Sequence, residues 1–418
     1  MRLIADFHIH SKYSRAVSRD MNLENLDVWA GKKGIQVMGT GDFTHPQWFE
    51  ELKTKLEPAE PGLYRLKDAP AGGSPTRFIL TVEISSIYSK NGKVRRIHNI
   101  IFAPSLETAG KINATLSLIG NLKSDGRPIL GLDSKKLLGI ILGIDPKCVL
   151  IPAHAWTPWF SIFGSMSGFD SIEECFEELS PHIFAVETGL SSDPAMNWRL
   201  SKLDKISLIS NSDSHSPQKI GREANIFDCE FSYDGLIGAI KSRDPEKFLF
   251  TVEFFPEEGK YHYDGHRLCG ISFSPSETKK HNGICPKCKK PLTIGVMNRV
   301  AKLADRKLGE GSESRVPFKH LIPLDEIIAD VFGVGASSKA VKKEYEKLIG
   351  AVGSEFKILT DASYNELARA ASPAVACGII NSREGKEELV PGYDGEYGKI
   401  KILKDNKEKS ENQQTRLF

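Results

Sequence analysis

A chain of 418 residues, 40% of them hydrophobic, is long enough for two or three domains around a sizeable core. Its 56 lysines and arginines nearly cancel its 54 aspartates and glutamates, which excludes a global basic field for nucleic acid. No apolar run is long enough to span a bilayer, and the start reads as a strand without a signal peptide; no membrane partner and a cytoplasmic location are expected.

In chain order, Leu3-Ile4-Ala5 lead into Asp6-Phe7-His8-Ile9-His10, which reads as a strand end over 3–10. Alternation puts Asp6, His8 and His10 on one face and Leu3, Ala5, Phe7 and Ile9 on the other. Further strands are expected at 35–41, 77–83, 94–102, 149–154, 183–187, 207–213 and 248–255. Helical patterns at 23–33, 134–142, 171–179 and 233–242 separate several of them. This is the rhythm of a parallel sheet or barrel. Asn91-Gly92, between apolar runs at 84–89 and 94–102, predicts a hairpin that distorts it.

Ligand-type residues recur where these strands end: His8 and His10, then Asp42, Glu83, His154, Glu187, Asp213 and His215, with His98 inside an apolar run. One such residue is more often a hydrogen-bonded core group or a turn cap. So many together point to divalent metal ions at the C-terminal mouth of a barrel. Zinc, manganese, magnesium and iron are all compatible, and the size of the set implies two or three ions. No covalent nucleophile is then needed for phosphoester hydrolysis.

These motifs resemble the PHP (polymerase and histidinol phosphatase) superfamily over residues 1–255: an opening His-x-His, an aspartate after the second strand, a glutamate, two isolated histidines and a closing Asp-x-His. The resemblance implies a distorted (β/α)7 barrel, metal-dependent phosphoester hydrolysis, and His8, His10, Asp42, Glu83, His98, His154, Asp213 and His215 as ligands. Where the family has Asp-His, this chain has Asp42-Phe43, so either His45 supplies the missing imidazole or Asp42 coordinates alone. Glu187 and Asp193 are additional acids, candidates for a further ligand or general base. Ser14 and Arg15 are placed to touch a substrate phosphate.

Past residue 255 the texture changes. His266-Arg267-Leu268-Cys269 and Cys285-Pro286-Lys287-Cys288 form two ligand pairs at the spacing of a zinc knuckle, predicting one structural zinc within 256–295. The other cysteines, Cys148, Cys175, Cys229 and Cys377, are scattered and read as buried thiols. Residues 296–402 are expected to form a mainly helical DNA-binding domain, with helices at 296–308, 324–331 and 338–349. There Gly333, Gly335 and Ser337 make a turn before Lys339, Lys342 and Lys343, in a basic stretch suited to phosphate. The turn resembles that of helix-hairpin-helix elements. Tyr393 and Tyr397 sit in a glycine-rich loop, where they either stack on unpaired bases or pack on the domain.

The overall order is α/β: barrel, zinc module, mainly helical C-terminal domain. It resembles endonuclease Q within the superfamily. That resemblance implies a DNA-repair endonuclease nicking double-stranded DNA on the 5′ side of deaminated bases (hypoxanthine, uracil, xanthine) or abasic sites. No Walker-type phosphate loop is present, which argues against a helicase. Competing readings are a histidinol-phosphate-like small-molecule phosphatase and a non-enzymatic zinc-stabilised DNA-binding scaffold. The polar tail 403–418 ends with Gln414, Leu417 and Phe418, which resembles a shortened sliding-clamp binding motif.

Overall fold

The computed structural model describes residues 2–68, 76–311 and 315–402. Gln414, Leu417 and Phe418 fall outside the described residues. Among those described, no helix is long and apolar enough to cross a membrane.

The opening strand, Arg2–Asp6, pairs in parallel with Val37–Gly39, which pairs in parallel with Arg77–Lys90. A long antiparallel hairpin joins Arg77–Lys90 to Lys93–Ala103, which pairs antiparallel with Val149–Pro152. The ring continues through Ala155 N–H to the Glu187 carbonyl, then through the parallel pair Ala185–Glu187 and Ser207–Ile209. It closes where His10 N–H donates to the Ser214 carbonyl. The result is a distorted seven-strand barrel. The distortion has two causes. Ala224–Asp228 pairs antiparallel along the opening strand, occupying the edge that Ser207–Ile209 would otherwise take. The hairpin runs one strand against the barrel's direction. Asn91 and Gly92, with φ of 54° and 71°, supply the left-handed backbone its two-residue turn requires.

The barrel interior is apolar. Leu3, Ala5, Phe7, Ile79, Ile100, Phe102, Ile151 and Ile209 pack together there, with Phe7 edge-on to Phe102 at 5.5 Å. Burial of each such large side chain contributes about 2–3 kcal/mol. The expected alternation stops at Phe7: its N–H donates to the Asn211 side chain and the regular ladder ends at Asp6. Ile9 therefore joins the outer core, not the face of Leu3 and Phe7.

The helices Leu23–Lys33 and Tyr233–Ser242 have the predicted bounds. The strand expected at 77–83 and the hairpin arm at 84–89 are one strand, Arg77–Lys90, so Glu83 lies mid-strand and not at a strand end. The strand Ala224–Asp228 was not predicted: Ala224 to Phe227 are all buried, so it lacks the polar alternation that marks a strand in sequence. Beyond the barrel, Asp264–His266 and Ile271–Phe273 form a small antiparallel pair, and Phe318–His320 returns to extend the barrel sheet beside Phe248–Glu253. The C-terminal region is mainly helical. It includes Leu324–Phe332, Lys339–Val352 and three further helices, Glu355–Thr360, Tyr364–Ala370 and Pro373–Arg383, beyond the ones expected at 296–308, 324–331 and 338–349. Serine N-caps at Ser354, Ser363 and Ser372 start them.

Candidate metal centres

At the barrel mouth the chain gathers two sets of ligand atoms, each within 4.8 Å of one another: His8, His10 and Asp213, and Glu83, His98 and His154. Glu83 joins them. Its Oε1 lies 2.7 Å from His98 Nδ1 and 3.0 Å from His154 Nε2. Its Oε2 lies 3.4 Å from His10 Nε2 and 3.6 Å from His8 Nε2. The hairpin register explains the first contact. Glu83 is opposite Ile100 and His98 is opposite Ser85, so Glu83 and His98 are diagonal neighbours on one face. His98 sits inside its strand because that strand runs backwards through the mouth.

Both opening histidines are held from behind by a carboxylate. His8 Nδ1 is 3.0 Å from Glu187 and His10 Nδ1 is 3.2 Å from Asp42. This turns each Nε2 towards the ligand group, the usual support for metal-binding imidazoles. Glu187 also accepts from His154 N–H at 2.7 Å and Asn211 Nδ2 at 2.9 Å. Asp42 accepts from Ser11 N–H, Ser11 Oγ and Ser14 Oγ at 2.6, 2.7 and 2.8 Å. The structure thus places Asp42 and Glu187 behind histidines and outside both ligand groups. His215 is on the rim, its ring 4.8 Å from that of His10. His45 stacks on Tyr13 at 4.4 Å, also outside both groups. Asp193 caps the helix Pro194–Asn197 and lies 3.4 Å from His320. Arg15 is an exposed side chain 3.4 Å from Asp125.

Backbone geometry marks the same place. Asp42, His154 and Asp213 all have positive φ, at 49°, 27° and 45°, a strain that clusters at functional sites. Gly39 lets the second strand pass the first, since a Cβ there would lie 2.2 Å from the Phe7 carbonyl oxygen.

The electrostatics fit cations. Burial works against charge on His8, yet Glu187, Glu83 and Asp213 outweigh it and hold its pKa well above the usual value. Burial opposes charge on Glu83 too, but His98, His8 and Arg127 keep it far below the carboxylate range. Burial lowers His98 to about 4, which favours the neutral imidazole that metal binding requires. His8 Nε2 is buried without a hydrogen-bond partner, an orphan that a metal ion would satisfy.

One contributor carries no spacing signal. Arg127, from the loop before Ile129–Leu130, brings Nη1 to 3.2 Å from Glu83 Oε2. A lone arginine after a glycine reads as any loop residue; only the fold brings it here, beside Asp125, which Arg15 also approaches.

The zinc-type module is separate. His266, Cys269, Cys285 and Cys288 offer ligand atoms within 4.8 Å of one another, with Cys288 Sγ 3.6 Å from His266 Nδ1. The 391–398 loop docks on this module. Asp394 accepts from Arg267 N–H and Thr293 Oγ1, both at 2.6 Å. Tyr393 is half-buried against Gly265, whereas Tyr397 is 69% exposed beside Lys260. Gly333 ends the helix Leu324–Phe332 with φ 66°, and Ser338 caps Lys339–Val352. Gly335, Ser337, Lys339, Lys342 and Lys343 are exposed on that turn and helix.

Fold and mouth together define an α/β barrel whose mouth gathers two groups of metal-ligand residues, the arrangement that the PHP resemblance implies. Residues 323–386 match the family model of the MJ0043 C-terminal domain. The chain is 36% identical over 255 residues to the uncharacterized protein MJ0043 of Methanocaldococcus jannaschii, matching 59% of this chain but spanning only 31% of that protein. It is 32% identical to the uncharacterized protein YqxK of Bacillus subtilis, over 96% of this chain and 99% of YqxK. The crystal structure of the lesion-specific endonuclease PfuEndoQ from Pyrococcus furiosus superposes with a TM-score of 0.85 at 31% identity, covering 97% of this chain and 96% of that one. Endonuclease Q in complex with a 27-mer duplex carrying an abasic lesion superposes at 0.84, covering 97% of each chain. The chain belongs to the endonuclease Q family.

Proposed function

We propose that this chain is a metal-dependent DNA endonuclease that hydrolyses the phosphodiester 5′ to deaminated bases (hypoxanthine, uracil, xanthine) or abasic sites. The supporting observation is the pair of ligand groups joined by Glu83, in a chain that matches PfuEndoQ over nearly its whole length.

His8, His10 and Asp213 would hold one divalent ion and Glu83, His98 and His154 another, with His215 on the rim available to a third. When bound, such ions supply the Lewis-acid activation of water and phosphoryl oxygen that hydrolysis needs. The chain's own residues do the rest. Glu187 and Asp42 orient His8 and His10, and both Glu187 oxygens are already hydrogen-bonded, so Glu187 is a positioning residue and not a general base. Arg127 offers a guanidinium for a phosphate oxygen, and the exposed Arg15, 3.4 Å from Asp125 in the same loop, is a second candidate. Asp193 caps a helix and lies 3.4 Å from His320, which favours a structural role for it.

By the same reading residues 1–255 form the catalytic module, 256–295 a module held by one structural zinc, and 296–402 a DNA platform. On it the exposed turn at Gly333 with Lys339, Lys342 and Lys343 contacts phosphates, and the exposed Tyr397 stacks on a base. The tail motif at Gln414, Leu417 and Phe418 is proposed to bind the sliding clamp, to be checked by titrating the clamp with full-length and truncated protein.

The test is incubation with Mn²⁺ or Mg²⁺ and end-labelled duplexes bearing one deoxyinosine, uracil or abasic site, beside histidinol phosphate. Nicking 5′ to the lesion is expected. Phosphate release from histidinol phosphate alone would replace this reading with a small-molecule phosphatase. DNA binding without cleavage of either would leave only a scaffold.

A further inference from the structure

The loop between His154 and Asp170 carries two large apolar side chains that the metal centre does not use. Trp159 is 37% exposed and Met166 62% exposed. An exposed indole on a mobile loop would mean little, but this loop is braced. Met166 N–H donates to the Pro158 carbonyl and Gly168 N–H to the Gly164 carbonyl. Buried Arg299, from the helix Val296–Leu303, donates to the carbonyls of Phe163 and Phe169 at 2.8 and 2.9 Å and to Asp170 at 2.6 Å.

The bracing reaches the metal ligands. Thr157 Oγ1 is 3.1 Å from His154 Nδ1 and donates to the Trp159 carbonyl at 2.8 Å. Phe160, at φ 60°, lays its ring 4.7 Å from that of His98 and accepts the His98 N–H through its carbonyl. Trp159 is therefore held one residue from a ring that packs on a ligand. Its own ring meets Tyr261 edge-on at 5.9 Å, at the start of the zinc-type module, where Lys260 lies over Tyr397 at 4.4 Å. An aromatic and cationic track runs from the metal centre to the docked 391–398 loop.

Reading a damaged base inside a duplex, as opposed to cutting its exposed backbone, requires taking that base out of the stack, and an inserted apolar side chain is one way to hold the gap open. A wedge needs a flat, exposed, rigidly mounted apolar group close to the reacting centre, and a mount that costs little further ordering on binding. We propose that Trp159 is this wedge: its indole enters the stack at the gap left by the displaced lesion nucleotide, backed by Tyr261. The proposal rests on the endonuclease reading above and adds the residue that makes a paired lesion accessible.

Two measurements test it in the full-length protein. The first is cleavage of one lesion in duplex and in single-stranded form by wild type, Trp159→Ala and Trp159→Phe. The ratio of duplex to single-strand cleavage falls at least tenfold in Trp159→Ala and recovers by more than half in Trp159→Phe. The second uses 2-aminopurine beside the lesion and a methylphosphonate at the scissile linkage. The fluorescence rise on binding wild type is lost in Trp159→Ala. An unchanged ratio with an unchanged rise overturns the wedge while leaving the endonuclease intact. An equal loss on both substrate forms also overturns it, because a residue that only shapes the metal centre behaves that way. A wild-type protein that nicks no lesion in either form overturns the endonuclease reading itself.

Discussion

The barrel mouth and the zinc-type module both gather metal ligands, but by opposite means. The mouth draws on residues from His8 to Asp213, over two hundred positions apart, and all but Asp213 of its two groups are buried. The module draws on Cys and His within 266–288, around a pair of three-residue strands of which only His266 is a member, with Leu268 86% exposed and little apolar core. In the first the fold makes the site: strands with their own core carry the ligands to one place, and carboxylates behind the histidines aim them. In the second the proposed zinc would make the fold, since so short a segment gains little from burial to offset its chain entropy.

Breaking each site therefore has different consequences. His8→Ala and Glu83→Gln are expected to remove detectable lesion cleavage while the melting temperature stays within a few degrees, measured by nicking assay and calorimetry. If either variant also unfolds the barrel, the distinction fails for the mouth. Cys285→Ser is expected to lose about one zinc per chain and to melt the module, seen as loss of amide protection over 264–292 while the barrel strands stay protected. Retention of zinc with normal protection would mean the four ligands are not a staple.

A finer test concerns the support behind the histidines. Asp42→Asn and Glu187→Gln are each expected to weaken metal affinity by about 10–100-fold, without loss of fold, in a competitive chelator titration. A complete loss of binding would make either residue a direct ligand.

A pH-dependent effect on stability is expected where barrel and C-terminal region meet. Glu253, at the strand edge taken by Phe318–His320, is fully buried, and that burial raises its carboxyl pKa to about 7 despite hydrogen bonds from Thr251 and Thr188. A carboxyl raised above its unfolded value holds its proton in the folded state. The stability it contributes is complete below about pH 4.5 and is lost as pH rises through 7. Glu253→Gln should remove this part of the pH dependence, on the order of 2–3 kcal/mol between pH 5 and pH 8 by urea titration. Equal pH dependence in both proteins would show that Glu253 is already ionised.

By itself the sequence determined the local features, because each depends on neighbours in the chain. Asn91-Gly92 specifies its hairpin through φ/ψ preferences. The helices 23–33 and 233–242 follow from periodicity with Asn22 and Ser232 as N-caps. The paired spacing of His266, Cys269, Cys285 and Cys288 brings them together over a short loop. The recurrence of histidine and carboxylate at strand ends also pointed to the mouth before any geometry. Tertiary structure alone decided the division of labour there. Asp42 and Glu187 look like ligands in sequence, yet strand exits and their serine, asparagine and backbone partners turn them towards imidazoles. His98 is usable because a reversed strand sets it diagonally across from Glu83. Arg127 reaches the same carboxylate from a loop with no pattern to mark it. Each of these depends on register and packing between segments far apart in the chain, and no local preference encodes them.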